Sequence, residues 1–146
     1  MVVITEQQME AVPLLVCHQA WRSWPAPTFE YFPDNCCGPG HGLIEKFVPD
    51  YCLWLKISPA CYNHDFEWQF CEPTWNDFRA SNSRLFANLK AIIDHRSHNV
   101  FMRAIRRHIA VGYENAVDIA GRKVFWSLKK EQGYEIPESA MRFANV

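Results

Sequence analysis

The sequence predicts a mainly α-helical protein. Three helix starts can be read from it, and apolar side chains recur at helical spacing after the second and third. The first third of the chain lacks such spacing and is interrupted by proline and glycine. The 146 residues fit one domain with one core, so we expect a single domain over 1–146, with an irregular N-terminal segment (1–35), a core (36–93) and a C-terminal helical region (97–133).

The first helix is predicted over 58–70. Ser58 offers a hydroxyl at the N-cap, and Pro59 stands at the first helical position, where proline is favoured. The apolar segment before it, 48–56, is too short for its spacing to distinguish strand from helix.

The second helix is predicted from Thr74, because Asp77 follows three residues later, as in a capping box. Its apolar stripe consists of Phe78, Leu85, Phe86, Leu89, Ile92 and Ile93. A third helix is predicted from about residue 100, with Ser97 as its cap. We expect it to bend near Gly112 or Gly121 and to end at Gly133.

Composition narrows the classes of function. A formal net charge of −1 gives no overall field that would attract nucleic acid, and no apolar run approaches the roughly 20 residues of a transmembrane helix. The six tryptophans and ten phenylalanines indicate a heavy core or an exposed apolar face. We expect the tryptophans mainly in the core, with one or two at a lipid-binding rim: Trp21, Trp24, Trp54, Trp75 and Trp126.

Cysteine content and the N-terminus give opposite indications. No basic segment precedes an apolar one at the N-terminus, so no signal peptide is predicted, and a cytoplasmic location is expected unless the protein is exported or packaged by other means. That location argues against disulfides, whereas the even count of six cysteines favours them. The redox state of the chain stays open at this point.

The adjacent pair His64 and Asp65 carries the clearest chemistry. On a helix the two side chains point about 100° apart, so Asp65 shares a face with Cys61 while His64 lies on the neighbouring face. A histidine so placed can act as a general base toward water. The aspartate can hold a hard cation.

An upstream loop, 36–42, has the sequence CCGPGHG. Glycine permits the close backbone turns that aim carbonyl oxygens inward. If the loop lies against the helix, the main-chain oxygens of Cys36, Gly38 and Gly40 can join the Asp65 carboxylate around one cation. Ligation by oxygen alone suits calcium and disfavours zinc, and a calcium ion can polarise an ester carbonyl.

Loop and helix together resemble the phospholipase A2 superfamily. In that family a Cys-Gly-x-Gly loop supplies carbonyl ligands, and an Ala/Cys-Cys-x-x-His-Asp helix supplies the base and the calcium carboxylate. The match covers roughly 36–90, and its loop and 72–78 look most like the viral and bacterial branches. It carries over to Cys36, Cys37, Gly38, Gly40, Cys61, His64 and Asp65.

The resemblance implies a pair of antiparallel active-site helices with a glycine-rich calcium loop, to which this chain adds a C-terminal helix. It also implies a disulfide between Cys37 and Cys61, Ca²⁺ as cofactor and hydrolysis of a phospholipid acyl ester. The expected partner is therefore phospholipid, as substrate or as membrane surface.

One departure from the family concerns the residue that orients the histidine. The family places an aspartate on the second helix, whereas alignment on Phe86 puts Ser83 there, with Asn82 beside it. Either can accept a hydrogen bond from the imidazole, but neither carries charge. Trp68 also replaces a tyrosine that is common in the family. These departures leave a second hypothesis open: a weakly active or inactive module on the same scaffold, such as a virion structural protein.

Two further interpretations compete for the same residues. Cys61 and His64 have a usable zinc-ligand spacing, so a zinc-stabilised domain that draws on Cys36, Cys37, Cys52 and Cys71 is a third hypothesis. A basic tract follows the second helix and is expected to be a solvated face, with attraction to anionic phospholipid headgroups as its alternative: His95, Arg96, His98, Arg103, Arg106, Arg107 and His108.

Overall fold

The computed structural model describes residues 16–18, 20 and 51–144, and within them the chain is mainly helical, as predicted. A two-stranded hairpin, β1 (Tyr51–Cys52) and β2 (Leu55–Lys56), precedes three long helices, α1 (Ser58–Phe70), α2 (Trp75–Arg96) and α3 (Val100–Glu131). A 3₁₀ turn (Glu138–Ala140) and a short helix, α4 (Met141–Ala144), complete the described fold. The predictions for 1–15, for 21–50 and for Trp21 and Trp24 lie outside the described residues.

The helix caps follow the predicted chemistry in two places and differ in two. Thr74 caps α2 as expected, since its Oγ1 accepts from Asp77 N at 3.0 Å. Gly133 follows the end of α3 with φ +85°, which glycine adopts without strain. The prediction that Ser58 is an N-cap is wrong, because Ser58 is already helical and Ile57 stands at the cap. Asn99, rather than Ser97, caps α3 by accepting from Phe101 N and Met102 N.

The three long helices pack antiparallel. On α1, His64 contacts Asn82 of α2, and Trp68 contacts Ser81 of α2. Residue numbers therefore decrease along α2 in the direction in which they increase along α1. Contacts between α2 and α3 pair Asp94 with Arg107 and Trp75 with Trp126, which gives the same relation. One continuous helix runs through Gly112 and Gly121, so neither glycine interrupts α3, and the expected bend stays a prediction.

An aromatic cluster fills the core between the helices. Phe78 and Phe125 pack 5.3 Å apart between ring centroids, and Trp75 meets both Trp126 and Phe143 edge to face. Trp126 therefore lies in the core, as expected, and Trp75 is partly buried against it. Such clusters combine large apolar burial with favourable ring geometry.

Trp54 departs from the expected core position. It lies at the tip of the hairpin with 86% of its surface exposed. Leu53 and Trp54 adopt φ of 45° and 64°, the left-handed region that two-residue hairpin turns require and that usually selects Asn or Gly. Arg106 holds the turn by donating from Nη2 to Leu53 O at 2.8 Å, so the strained turn is anchored on α3.

The basic tract is used partly for structure. Arg103 donates from Nη2 to Ser97 O at 2.8 Å, and Arg106 donates from Nη1 to Ser97 Oγ at 2.9 Å, which places two cations at the C-terminal end of α2. Arg107 forms a two-bond ion pair with Asp94 on the surface. These three arginines are thus engaged within the fold.

Candidate active site

His64 lies at the centre of α1 and is almost fully buried. Its ring packs on that of Trp68, one turn further along the helix, with centroids 4.3 Å apart. Trp68 in turn donates from Nε1 to Ser81 Oγ at 2.8 Å and packs against Phe78 and Phe125. The imidazole therefore packs against the Trp68 ring, whose position is fixed by its contacts with the core.

Asn82 on α2 makes the hydrogen bond to the imidazole. His64 Nε2 lies 2.8 Å from Asn82 Oδ1, and both side chains are buried. Ser83 is exposed, because one residue along a helix turns the side chain by about 100°. The structure thus corrects the alternative that named Ser83 as the orienting residue, and Asn82 occupies that position.

Asp65 faces the other ring nitrogen. His64 Nδ1 lies 3.6 Å from Asp65 Oδ1, and the Asp65 side chain is 26% exposed. Burial raises the pKa of the Asp65 carboxyl, and the adjacent imidazole opposes that rise. The two nitrogens of His64 therefore face different groups: an amide from α2 on one side and a carboxylate on the other.

The two carboxylates of α1, Asp65 and Glu67, differ in the charged side chains that lie beside them. The fully buried carboxylate of α1, Glu67, has Arg84 as its cationic partner. Asp65 is partly exposed, and among the described residues it has no lysine or arginine within ion-pair distance and pairs with His64 alone. A desolvated carboxylate without a fixed cation is a fitting ligand for Ca²⁺, which favours carboxylate oxygen.

The remaining predicted ligands, Cys36, Gly38 and Gly40, lie outside the described residues. Within 16–18, 20 and 51–144, no group of three or more His, Cys, Asp or Glu side chains is arranged to hold a metal ion. Cys17, Cys52 and Cys71 are free thiols, and Cys61 is not among them. The Cys37–Cys61 pairing stays a prediction.

Asp118 on α3 completes a polar chain that the sequence did not indicate. Asn82 Nδ2 donates to Asp118 Oδ1 at 3.4 Å. Arg122 holds this carboxylate by donating from Nη2 to Asp118 Oδ2 at 3.3 Å and from Nε to Asp118 O at 3.0 Å. The i,i+4 spacing of Asp118 and Arg122 predicts their pairing on one helix face, but no local pattern points from Asp118 to Asn82.

A buried ion pair beneath the site fixes α1 against α2. Glu67, with no exposed surface, accepts from Arg84 Nε at 2.9 and 2.8 Å through its two carboxylate oxygens. Burial raises the pKa of the Glu67 carboxyl, and the charge of Arg84 opposes the rise. Glu67 also accepts from His18 N at 3.0 Å, so one carboxylate ties together three segments of the chain.

Two asparagine side chains, Asn63 of α1 and Asn88 of α2, form hydrogen bonds with the main chain of Val16. Asn88 Oδ1 accepts from Val16 N, and Asn88 Nδ2 donates to Val16 O at 3.0 Å, as a neighbouring β-strand would. Asn63 Nδ2 also donates to Val16 O, at 2.9 Å. Sequence reasoning missed the side chains that join α1, α2 and residue 16 next to the candidate site, since polar residues on helices ordinarily face solvent: Asn63, Glu67, Arg84 and Asn88.

Comparisons with known proteins found no match: no protein-family model, no curated protein and no solved structure is significantly similar to this chain. Among the described residues, no helix has both the length and the apolar character needed to cross a bilayer.

Proposed function

We propose that this protein is a calcium-dependent esterase of the phospholipase A2 type, which cleaves an acyl ester of a glycerophospholipid. The single observation that supports this most is the placement of His64. One ring nitrogen is engaged by Asn82 at 2.8 Å, while the other faces the carboxylate of Asp65 at 3.6 Å. A general base needs one nitrogen held and the other directed at the reacting water.

The proposed mechanism assigns a task to each of these side chains. Asn82 Oδ1 accepts the hydrogen on His64 Nε2, so that Nδ1 carries the lone pair. Nδ1 then takes a proton from a water molecule, and the negative charge of Asp65 stabilises the imidazolium that results. The oxygen of that water attacks the acyl carbonyl, and His64 returns its proton to the leaving alcohol.

The calcium ligands follow from the resemblance and from Asp65. Asp65, with the carbonyl oxygens of Cys36, Gly38 and Gly40, would hold the ion by oxygen alone. When bound, Ca²⁺ supplies electrophilic stabilisation of the developing oxyanion. The Asp65 carboxylate supports this assignment, because it is partly buried and, among the described residues, has no lysine or arginine within ion-pair distance.

A second proposal is a binding or virion structural module on the same scaffold. It is favoured by one observation: the group that orients His64 is an uncharged amide. Calcium binding without turnover would support it. The zinc-stabilised domain is a weaker alternative, and elemental analysis of the purified protein decides it directly.

The test is release of fatty acid from phospholipid vesicles by the purified protein at millimolar calcium. We expect release, its loss on addition of EDTA, and its recovery on adding calcium back. His64→Gln should reduce the rate by about 10²–10⁴-fold, the range for loss of a general base. The matched control is His95→Gln, a change at an exposed histidine of α2, which should leave the rate unchanged.

Two results would overturn the proposal. One is the absence of release by folded wild-type protein at millimolar calcium. The other is release by His64→Gln at the wild-type rate.

A further inference from the structure

We propose that Asp118 is a positioning residue that acts through Asn82 and decides which nitrogen of His64 serves as the base. This inference rests on the proposed function and adds a residue from α3 to its site. Its basis is the continuous chain from His64 Nε2 to Asn82 Oδ1 at 2.8 Å, and from Asn82 Nδ2 to Asp118 Oδ1 at 3.4 Å.

An asparagine alone cannot fix the tautomer of a histidine. Its side chain carries an acceptor oxygen and a donor NH₂ of nearly equal size, and the two exchange when the amide rotates by 180°. With the oxygen toward His64, Nε2 must carry the hydrogen, and Nδ1 is free as a base. With the NH₂ toward His64, Nε2 must accept, so the hydrogen moves to Nδ1, which faces Asp65. The second arrangement removes the base from the side where catalysis is proposed.

The carboxylate of Asp118 selects between these arrangements. An ionised carboxylate only accepts hydrogen bonds, so the atom of Asn82 that faces it must be the NH₂. The oxygen of Asn82 is then directed at His64. Asp118 thus favours the Nε2–H tautomer through one intervening side chain, and it does so against the Asp65 carboxylate, which lies 3.6 Å from Nδ1 and favours a hydrogen there.

Two neighbours hold Asp118 in place. Arg122, one turn along α3, donates to both its carboxylate and its main-chain oxygen. Gly121 lets α3 approach the ring of Trp68, since a Cβ there would lie 2.7 Å from the Trp68 Cη2 atom. The same ring packs on His64. The Trp68 ring therefore determines both how closely α3 approaches α1 and where the imidazole lies.

The arrangement accounts for the uncharged orienting residue. A carboxylate is still coupled to the imidazole, but it comes from the third helix and acts through an amide. The experiment therefore compares Asp118→Ala and Asp118→Asn with Glu114→Ala, which removes a carboxylate one turn earlier on α3. Circular dichroism first checks that each variant is folded.

The first readout is the tautomer of His64, from ¹⁵N chemical shifts at a pH where the ring is neutral. Wild type and Glu114→Ala should hold the hydrogen on Nε2, whereas Asp118→Ala should populate the Nδ1–H form. Asp118→Asn should fall between them, because its amide can rotate to offer an oxygen. An unchanged tautomer in Asp118→Ala would overturn the proposal. This readout needs no turnover, so it is decided separately from the esterase proposal.

The second readout is kinetic. Asp118→Ala should lower kcat by about 10–100-fold, as loss of a supporting hydrogen-bond partner typically does, with KM little changed. The same change is then made in the Asn82→Asp background, where a carboxylate bonds the imidazole directly and has no NH₂ to be oriented. Asp118→Ala should cause no loss of kcat there. An equal loss in both backgrounds would identify Asp118 as a merely structural residue. Absence of fatty-acid release by wild type would count against the esterase, while the tautomer result would still stand.

Discussion

Gly121 of α3 packs against the indole ring of Trp68. A Cβ built on Gly121 would come within 2.7 Å of the Trp68 Cη2 atom and 3.3 Å of Cζ2, closer than packed atoms approach. The ring cannot move aside easily, because it packs against Phe78 and Phe125 and donates from Nε1 to Ser81 Oγ. The contact fixes how closely α3 packs on α1.

We predict that Gly121→Ala destabilises the fold by about 1–3 kcal/mol, the usual cost of overpacking a close-packed interior. The matched control is Gly112→Ala on the same helix, where a Cβ meets nothing within 4 Å. That change should instead stabilise the protein by about 0.5–1 kcal/mol, since alanine favours helix over glycine. Urea unfolding measures both. Equal shifts in the two variants would contradict the packing argument.

Replacing only one partner of the Glu67–Arg84 ion pair should strongly destabilise the fold. Arg84→Met leaves a fully buried carboxylate without its cation, which typically costs about 3–5 kcal/mol. The double variant Glu67→Gln/Arg84→Met should be more stable than Arg84→Met, because no buried charge is left unpaired. Urea unfolding of both tests this order, and a double variant less stable than Arg84→Met would contradict it.

The surface pair of Asp94 and Arg107 provides the control for that experiment. Its two hydrogen bonds are short, 2.7 Å each, but its side chains are 37% and 50% exposed. Arg107→Met should therefore cost much less stability than Arg84→Met, because water screens an exposed ion pair. A loss as large as that of Arg84→Met would show that burial is not what separates the two pairs.

The free thiol of Cys71 should make the protein less stable at alkaline pH. Burial raises its pKa from 9.0 to about 12, and the charge of Lys129 opposes the rise. The folded state thus keeps a proton that the unfolded chain releases, so stability present below pH 9 is lost as pH rises toward 12. The loss is on the order of 1 kcal/mol per pH unit for one group.

Urea midpoints between pH 7.5 and about pH 10.5 measure this slope, and Cys71→Ala should reduce it. Cys17, whose pKa burial raises to about 11, contributes a slope of the same sign in both proteins. Burial lowers the pKa of Lys129, which contributes the opposite sign in both proteins. The difference between the two slopes therefore reports Cys71 together with its electrostatic effect on Lys129, since the two groups interact. An identical slope in the two proteins would contradict the prediction.

The predicted disulfide of Cys61 should protect this cysteine from alkylation in the unfolded but unreduced protein. The resemblance to phospholipase A2 predicts Cys37 as its partner. Mass spectrometry after alkylation in urea should then find Cys61 modified in Cys37→Ser and unmodified in Cys36→Ser. The reverse pattern would assign the disulfide to Cys36, and modification in wild type would exclude the disulfide. Cys17, Cys52 and Cys71 should be alkylated in all these proteins.

Local chemistry explains which elements the sequence could predict. The start of α2 follows from Thr74 and Asp77, and the end of α3 from Gly133, because caps depend on residues within one turn. The hairpin was ambiguous, since its turn uses Leu53 and Trp54 in a conformation that neither residue favours. Trp54 is exposed for the same reason: the tip of a two-residue turn projects its side chain away from the helices.

By itself, the sequence determined the three helices and the angular separation of His64 and Asp65, because both follow from the repeat of a single helix. Only the tertiary structure chose Asn82 over Ser83 and brought Asp118 to it from a position 36 residues further along the chain. It also buried Glu67 against Arg84 and placed Gly121 on Trp68. These relations join side chains on different helices, so they depend on the depth and rotation at which whole helices pack, and no local pattern encodes either quantity.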